Sequence, residues 1–255
     1  MPWATDCRMK DSLSDKRRLI TALSVLAIVL VWECASLLAG SEQLLPGPWR
    51  TLKSTAALFC DLSFLKVVGS TVLRAVAGFA IAAAAGLLLG IAGGLDSRFH
   101  AFLKPWVVVI RSTPVVAFVL LAVIWLSPGA VPVTIGTLVM FPIIYLNTVE
   151  GIGSVDGKTV EMARFYGIRG ARLTREVYLP SIRPFLMSGV SNAVGIGWRA
   201  VVVGEVLSQP QWGIGTVMRS AQTFLQVDIL IAWTLVTVVI GAVFDKIIRY
   251  GYRSR

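Results

Sequence analysis

Residues Glu161 to Pro180 read EMARFYGIRGARLTREVYLP, a polar, arginine-rich run set between long hydrophobic segments. This interruption decides how the chain is parsed. The sequence has 255 residues, of which 56% are hydrophobic and 15% charged, with a mean hydropathy of +0.75. A soluble domain of this length needs more charge to wet its surface, so the composition points to a polytopic helical membrane protein. The net charge of +10 would suggest nucleic acid in a soluble chain. Its distribution argues instead for membrane topology and against a nucleic-acid partner.

A helix needs about 20 mostly apolar residues to cross the hydrocarbon core. Working outward from the interruption, six segments meet that requirement: Leu19–Ala39, Val68–Leu95, Leu103–Leu126, Val131–Val149, Pro184–Leu207 and Leu225–Ile248. The alternate connections and the two tails, 1–18 and from Lys246 onward, hold seventeen Lys and Arg, six of them in the loop from Glu150 to Arg183. The opposite side holds four, Arg50, Lys53, Lys66 and Arg219. The positive-inside rule then puts both termini and the Glu161 loop in the cytosol. The first span is too long for a signal-peptide core and is expected to stay uncleaved. The domain reading is a cytosolic tail over 1–18 and a six-span unit over 19–255, with its cytosolic loop at 150–183.

Pro105 and Pro114 in span three, and Pro132 and Pro142 in span four, are expected to kink their helices. Span two contains GFAIAAAAGLLLGIAGG over Gly78–Gly94, with Gly86 and Gly90 in GxxxG spacing. Such residues serve either close packing inside the bundle or a moving interface that lines a path. Cys7, Cys34 and Cys60 make no metal or disulfide framework, and His100 is the sole histidine, so metal chemistry has no ligand set. Trp49, Trp106, Trp125 and Trp212 fall near span ends, as an interfacial belt would.

The loop carries helical punctuation. The spacing predicts a short helix around Thr159–Tyr166, with Val160, Ala163 and either Phe165 or Tyr166 turned to a partner and Gly167 ending it in the left-handed conformation. A second short helix, about Ala171–Tyr178, is expected to end at Leu179-Pro180. Glu161 with Arg164 and Arg172 with Glu176 are spaced to pair on helix surfaces.

The run resembles the EAA motif of ABC importer permeases: Glu-Ala-Ala, three residues, Gly, nine residues, Ile-x-Leu-Pro. Here it stands as Glu161, Met162, Ala163, Gly167, Val177, Leu179 and Pro180, with spacing intact and with Met162 and Val177 as modest departures. Ser70-Thr71-Val-Leu-Arg74-Ala-Val-Ala-Gly78-Phe79, Ile110-Arg111-Ser112-Thr113-Pro114-Val-Val-Ala117, and Trp198-Arg199-Ala200 through Gly204-Glu205 with Gly213-Ile214-Gly215 are similar to segments of the nitrate/sulfonate/taurine branch. Leu126-Ser127-Pro128-Gly129 departs from the Phe-Gly often found there.

The resemblance implies an all-α transmembrane, six-helix type I (MetI-like) permease working as a dimer in a bacterial inner membrane. Its loop would sit in a groove on a separate ATPase dimer, with Glu161, Met162, Ala163, Gly167, Leu179 and Pro180 as contact or fit residues. ATP and magnesium would lie on that partner, and the permease itself would bind no cofactor. A periplasmic or lipid-anchored binding protein would deliver a small, anionic sulfonate-, taurine-, nitrate- or bicarbonate-like nutrient. On this view a bulky residue at Ala163 or Gly167 would hold the loop out of its groove.

Ionisable residues inside spans are functional candidates by default. Glu33, Arg74, Arg111, Arg199 and Glu205 form that set. Arg74 and Glu205 lie toward the outer span ends, where they are expected to reach water. Arg111 and Arg199 either pair inside the bundle, for example with Glu33 or Glu205, or supply positive potential along a path for anions, with Glu205 a third candidate for that path. A membrane-embedded enzyme would need convergent catalytic groups, and HExxH, GxSxG and paired carboxylates are all missing from the spans. An ATP-independent channel or secondary carrier is the alternative, but it has no need of the Glu161 loop, and no internal repeat supports it. The chain also lacks a GxxxxGK[ST] loop, so ATP hydrolysis must come from another chain.

Overall fold

A computed structural model of the chain describes residues 3–41 and 44–253, with the side chains of 3–18, 249 and 251–253 left outside the description. The basic residues expected to anchor the tail, Arg8, Lys10, Lys16, Arg17 and Arg18, therefore fall outside it, as do Arg253 and Arg255. Every regular element among the described residues is helical. They are α1 (Trp3–Ala39), α2 (Pro48–Cys60), α3 (Phe64–Leu95), α4 (Ser97–Ser112), α5 (Val115–Trp125), α6 (Ala130–Gly153), α7 (Gly157–Phe165), α8 (Ala171–Leu173), a π-helical turn Thr174–Tyr178, α9 (Leu179–Ser181), α10 (Arg183–Ser208), α11 (Ile214–Thr223) and α12 (Val227–Arg253).

Five helices are long and apolar enough to cross a membrane alone, and α4 with α5 makes a sixth, broken span bent by 97°. This corrects the expectation of a continuous third span. Thr113-Pro114 breaks it, because proline offers no N–H and forces the preceding residue out of the helical region; Thr113 sits at ψ 130°. Pro105 and Pro142 lie inside uninterrupted helices.

The centre of the bundle is α6, 44% of whose span is buried, packed between α3 and α10. Small residues set both contacts. On α3, Gly78, Ala82, Gly86, Gly90 and Gly93 form one buried stripe, and a Cβ added at Gly90 would lie 2.6 Å from the Thr148 Cβ. On α10, Gly189 and Gly204 meet Asn147 and the Pro132 backbone of α6 in the same way. The GxxxG stripe of span two is thus occupied in packing within the chain. In lipid, where helices gain little from hiding apolar surface, this close backbone approach is a main source of association.

The two ends differ. The end opposite the loop, the far end, is collared by α2 and α11. Arg50 pairs with Asp228 at 3.8 Å, and Ser54 Oγ donates to the same carboxylate at 2.9 Å, tying α2 to α12. Lys53 and Lys66 lie over the Trp49 and Trp212 rings at 5.3 and 5.8 Å. Residues Leu19–Ala39 of α1 bury nothing in the bundle. This helix is held near its end by Trp32 Nε1 donating to the Pro46 carbonyl and Ser36 Oγ to the Leu45 carbonyl.

Candidate functional site

At the loop end, Asp156 opens α7 by accepting a hydrogen bond from the Lys158 N–H, the usual way a short acidic side chain satisfies a helix start. The helix closes on Gly167, at φ +79°. Ile168 N–H donates to the Ala163 carbonyl and Gly167 N–H to the Arg164 carbonyl, both at 3.0 Å. This is the Schellman pairing that a left-handed glycine permits. A Cβ on Gly167 would meet nothing within 4 Å, so glycine stands here for its backbone conformation. Within the chain no neighbour requires a small side chain at this position.

The expected orientation of α7 is corrected. Val160 and Ala163 do not face a partner. They are 8% and 7% exposed and pack against Leu173, Val155, Ile168, Val177 and Tyr178 inside the loop itself. Met162, Phe165 and Tyr166 are 59%, 88% and 76% exposed, with Glu161 and Arg164 beside them. Hydrophobic spacing located this helix, but its two apolar sides look alike in sequence until the second short helix is seen to cover one. Arg172 pairs with Glu176 at 2.8 Å, as their spacing predicts. The helical run from Ala171 continues through the π turn and past Leu179-Pro180 to Ser181, with Pro180 in the first turn of the separate short element α9. Leu179 and Pro180 are exposed.

The loop is rooted firmly. Ile182, 0% exposed, packs where a Cβ on Gly151 would be, 3.0 Å from the Ile182 Cβ. The last turn of α6 and the start of α10 are therefore packed tightly together where the loop leaves and rejoins the bundle.

At the far end Glu205 does not reach the surface, contrary to expectation, while Arg74 stays partly exposed, its side chain 16% open. Glu205 is 0% exposed. Arg74 donates through one terminal nitrogen to Glu205 Oε1 and to the Trp212 carbonyl, both at 2.6 Å. Thr71 Oγ1 and the Gly215 N–H donate to Glu205 Oε2 at 2.9 and 3.0 Å, and the Ile214 N–H donates to Thr71 Oγ1 at 2.9 Å. A helix start and a guanidinium converge on one buried carboxylate, the arrangement that makes a buried charge tolerable. Ser70-to-Gly78, Gly204-Glu205 and Gly213-to-Gly215, read as separate segments in sequence, are one knot. Thr71 and Gly215 could not be singled out from the sequence, since neither type titrates.

Arg111 and Arg199 are brought into neither cluster. Both are exposed and without an ion-pair partner among the described residues, Arg111 in the last turn of α4 beside the break and Arg199 in the middle of α10. Glu33 is likewise exposed on α1. The pairing expected of Arg199 with Glu205 is not formed; Glu205 belongs to Arg74.

The sequence matches the family described as binding-protein-dependent transport system inner membrane component over residues 85–253. It is 33% identical over 223 residues to the putative aliphatic sulfonates transport permease protein SsuC of Escherichia coli strain K12, covering 86% of this chain and 83% of that one. The protein of the same name from Bacillus subtilis strain 168 is 28% identical over 225 residues, covering 87% and 81%. Among solved structures, the MetNI methionine ABC transporter in an inward-facing conformation shares the fold with a TM-score of 0.55 at 13% identity, covering 74% of this chain and 98% of that one.

Proposed function

Because this chain belongs to the family of binding-protein-dependent transport system inner membrane components, we propose that its 150–183 loop is the lever by which a separate ATPase opens and closes the membrane path. The chain is a multi-pass permease subunit of an ABC importer, and its ATPase and substrate-binding protein are separate chains. It is not an enzyme.

The observation that carries the lever is the outward Met162, Phe165 and Tyr166 patch on a helix whose other side is fastened to the loop. Aromatic side chains left in water on a rigid base are typical anchors for a protein groove. Glu161 flanks the patch, Ala163 and Gly167 set the helix that presents it, and Leu179 and Pro180 shape the return. A push on α7 passes through Gly151 and Ile182 to α6 and α10 together. Since α3 is fitted against α6 without room for an added methyl group, the three move as one body.

The assembly we envisage has two copies of this chain in a bacterial inner membrane, with both termini and the loop in the cytosol. ATP and magnesium sit on the ATPase dimer, and this chain holds no cofactor of its own. Arg111 and Arg199 face the path and favour a small anion; relatives named for aliphatic sulfonates support that class. Glu205 is set aside from the path, because its carboxylate is enclosed in the knot.

Affinity purification of the tagged permease from its host's membranes with trapped nucleotide tests the lever. The expected result is a stoichiometric ATPase that is lost on Phe165→Ala/Tyr166→Ala, while the permease stays in the membrane fraction. A permease that elutes alone and moves solute without ATP would overturn the reading in favour of a channel or carrier.

A further inference from the structure

The exposed positions of α10 are not scattered. Ser188, Asn192, Ile196, Arg199, Val203 and Leu207 are all exposed and recur every three or four residues, so they form one face along the whole helix. The rest of α10 is turned inward, against α6, α3, α5, α11 and α12. The open faces of α3 and α12 at membrane depth are apolar apart from Thr234, whose hydroxyl donates to the Leu230 carbonyl of its own helix. On α3 they are Leu73, Val76, Ile81 and Leu88, and on α12 Leu235, Val238, Val239 and Val243. Glu33 on α1 and Arg111 on α4 are exposed singly, whereas the α10 face places a guanidinium, a carboxamide and a hydroxyl in one line inside the span. None of the three has a hydrogen-bond or ion-pair partner among the described residues. A bare guanidinium and carboxamide do not face hydrocarbon; they mark a water-filled surface.

Resting on the importer reading above, we infer that this face of α10 lines the translocation path, and that Arg199 is its anion-selecting group, with Asn192 and Ser188 as successive polar contacts toward the loop end. Asn192 lies two turns, about 10 Å, from Arg199 along the axis, and Ser188 one turn further. The sulfonate, carboxylate or nitrate group of a small solute would pass from the guanidinium to neutral donors, which hold it without trapping it. Neutral donors below a single charge also let the anion leave.

Thiol labelling in membranes holding the whole importer tests this without knowing the substrate. Cys7, Cys34 and Cys60 are first replaced by serine. Single cysteines are then placed at Ser188, Asn192, Ile196 and Val203, and as lipid-facing controls at Leu88 and Val239. Each is treated with the anionic 2-sulfonatoethyl and the cationic 2-(trimethylammonio)ethyl methanethiosulfonates. The α10 positions are expected to react and the controls to stay silent. At Asn192→Cys the anionic reagent should be favoured by about fourfold, given one unit charge at that distance in water. The preference should vanish in Arg199→Gln and return in Arg199→Lys. Unreactive α10 positions would overturn the inference and make the strip a lipid or subunit contact. Reactivity with no Arg199-dependent preference would overturn the role of Arg199. Both results are independent of whether an ATPase co-purifies, so a failure here is distinct from a failure of the importer reading.

Discussion

The far-end knot and the loop-end patch use their side chains in opposite ways. Around Glu205 each charged or polar group has found a partner inside the chain: Arg74, Thr71, the Gly215 N–H and the Trp212 carbonyl are all engaged. Around Phe165 the backbone is just as well satisfied, yet the large side chains are left outside. A region closed on itself contributes to the fold, whereas a rigid region with open side chains is prepared for another molecule. The difference separates positions whose replacement unfolds the permease from positions whose replacement disconnects it.

The largest effect is expected at the knot. Arg74→Ala leaves the Glu205 carboxylate buried without its cation, which costs about 3–5 kcal/mol in comparable sites. Thermal unfolding in detergent should show a strongly destabilised protein, or little folded protein at all. Arg74→Met combined with Glu205→Gln should recover much of the loss, because an uncharged pair has no stranded charge. If Arg74→Ala were silent, the knot would not be a structural element, and Arg74 would be left as an ionisable residue near the outer span end with no structural duty.

Next comes the α3–α6 contact, through which the proposed lever would carry three helices together. Gly90→Val puts a branched side chain where even a Cβ meets Thr148 at 2.6 Å. Overpacking of this kind costs about 1–3 kcal/mol. The expected signature is a lower unfolding temperature together with ATP hydrolysis that no longer follows substrate. A variant with unchanged coupling would show that α3 is not carried along with α6.

A smaller effect is expected inside the loop. Gly167→Ala keeps the open space around the residue but holds alanine at φ +79°, a left-handed conformation that costs a side chain about 1–2 kcal/mol. The helix end should loosen and coupling should weaken. Gly167→Asn, which tolerates this conformation better, should retain more coupling despite its larger side chain. The opposite order would restore a steric reason for glycine.

Much of this was legible in the chain. Hydropathy placed the spans, because a bilayer demands long apolar runs, and the Glu161 loop stood out because it breaks them. Gly167 was readable as a helix end, since one residue type dominates that conformation. What stayed hidden depends on tertiary contact. The 97° break at Thr113-Pro114 could not be told from a mild kink, because Pro105 and Pro142 have the same local chemistry and are absorbed. Arg74 and Glu205 lie 131 positions apart, and no local pattern says which buried charges will meet. The inward turn of Ala163 was hidden for a similar reason: its cover, Leu173, belongs to the next helix.

Phe165→Ala is expected to have the smallest effect on the fold. At 88% exposure the ring supports little of the loop, and its only ring neighbour among the described residues is Tyr166, at 6.0 Å. Stability should stay within about 0.5 kcal/mol, as for most surface replacements. Association with the ATPase should fall much further: truncating a central aromatic anchor costs about 2 kcal/mol or more, roughly thirtyfold in affinity. Ala163→Leu makes the reciprocal case, since its side chain would press on Leu173 and disturb the loop from within. If Phe165→Ala lowered the unfolding temperature as much as Ala163→Leu while the ATPase still bound, the outward patch would be part of the fold, and the contrast with the knot would collapse. Normal stability with lost association would instead separate the lever's surface from its support, two positions apart on α7 and opposite in consequence.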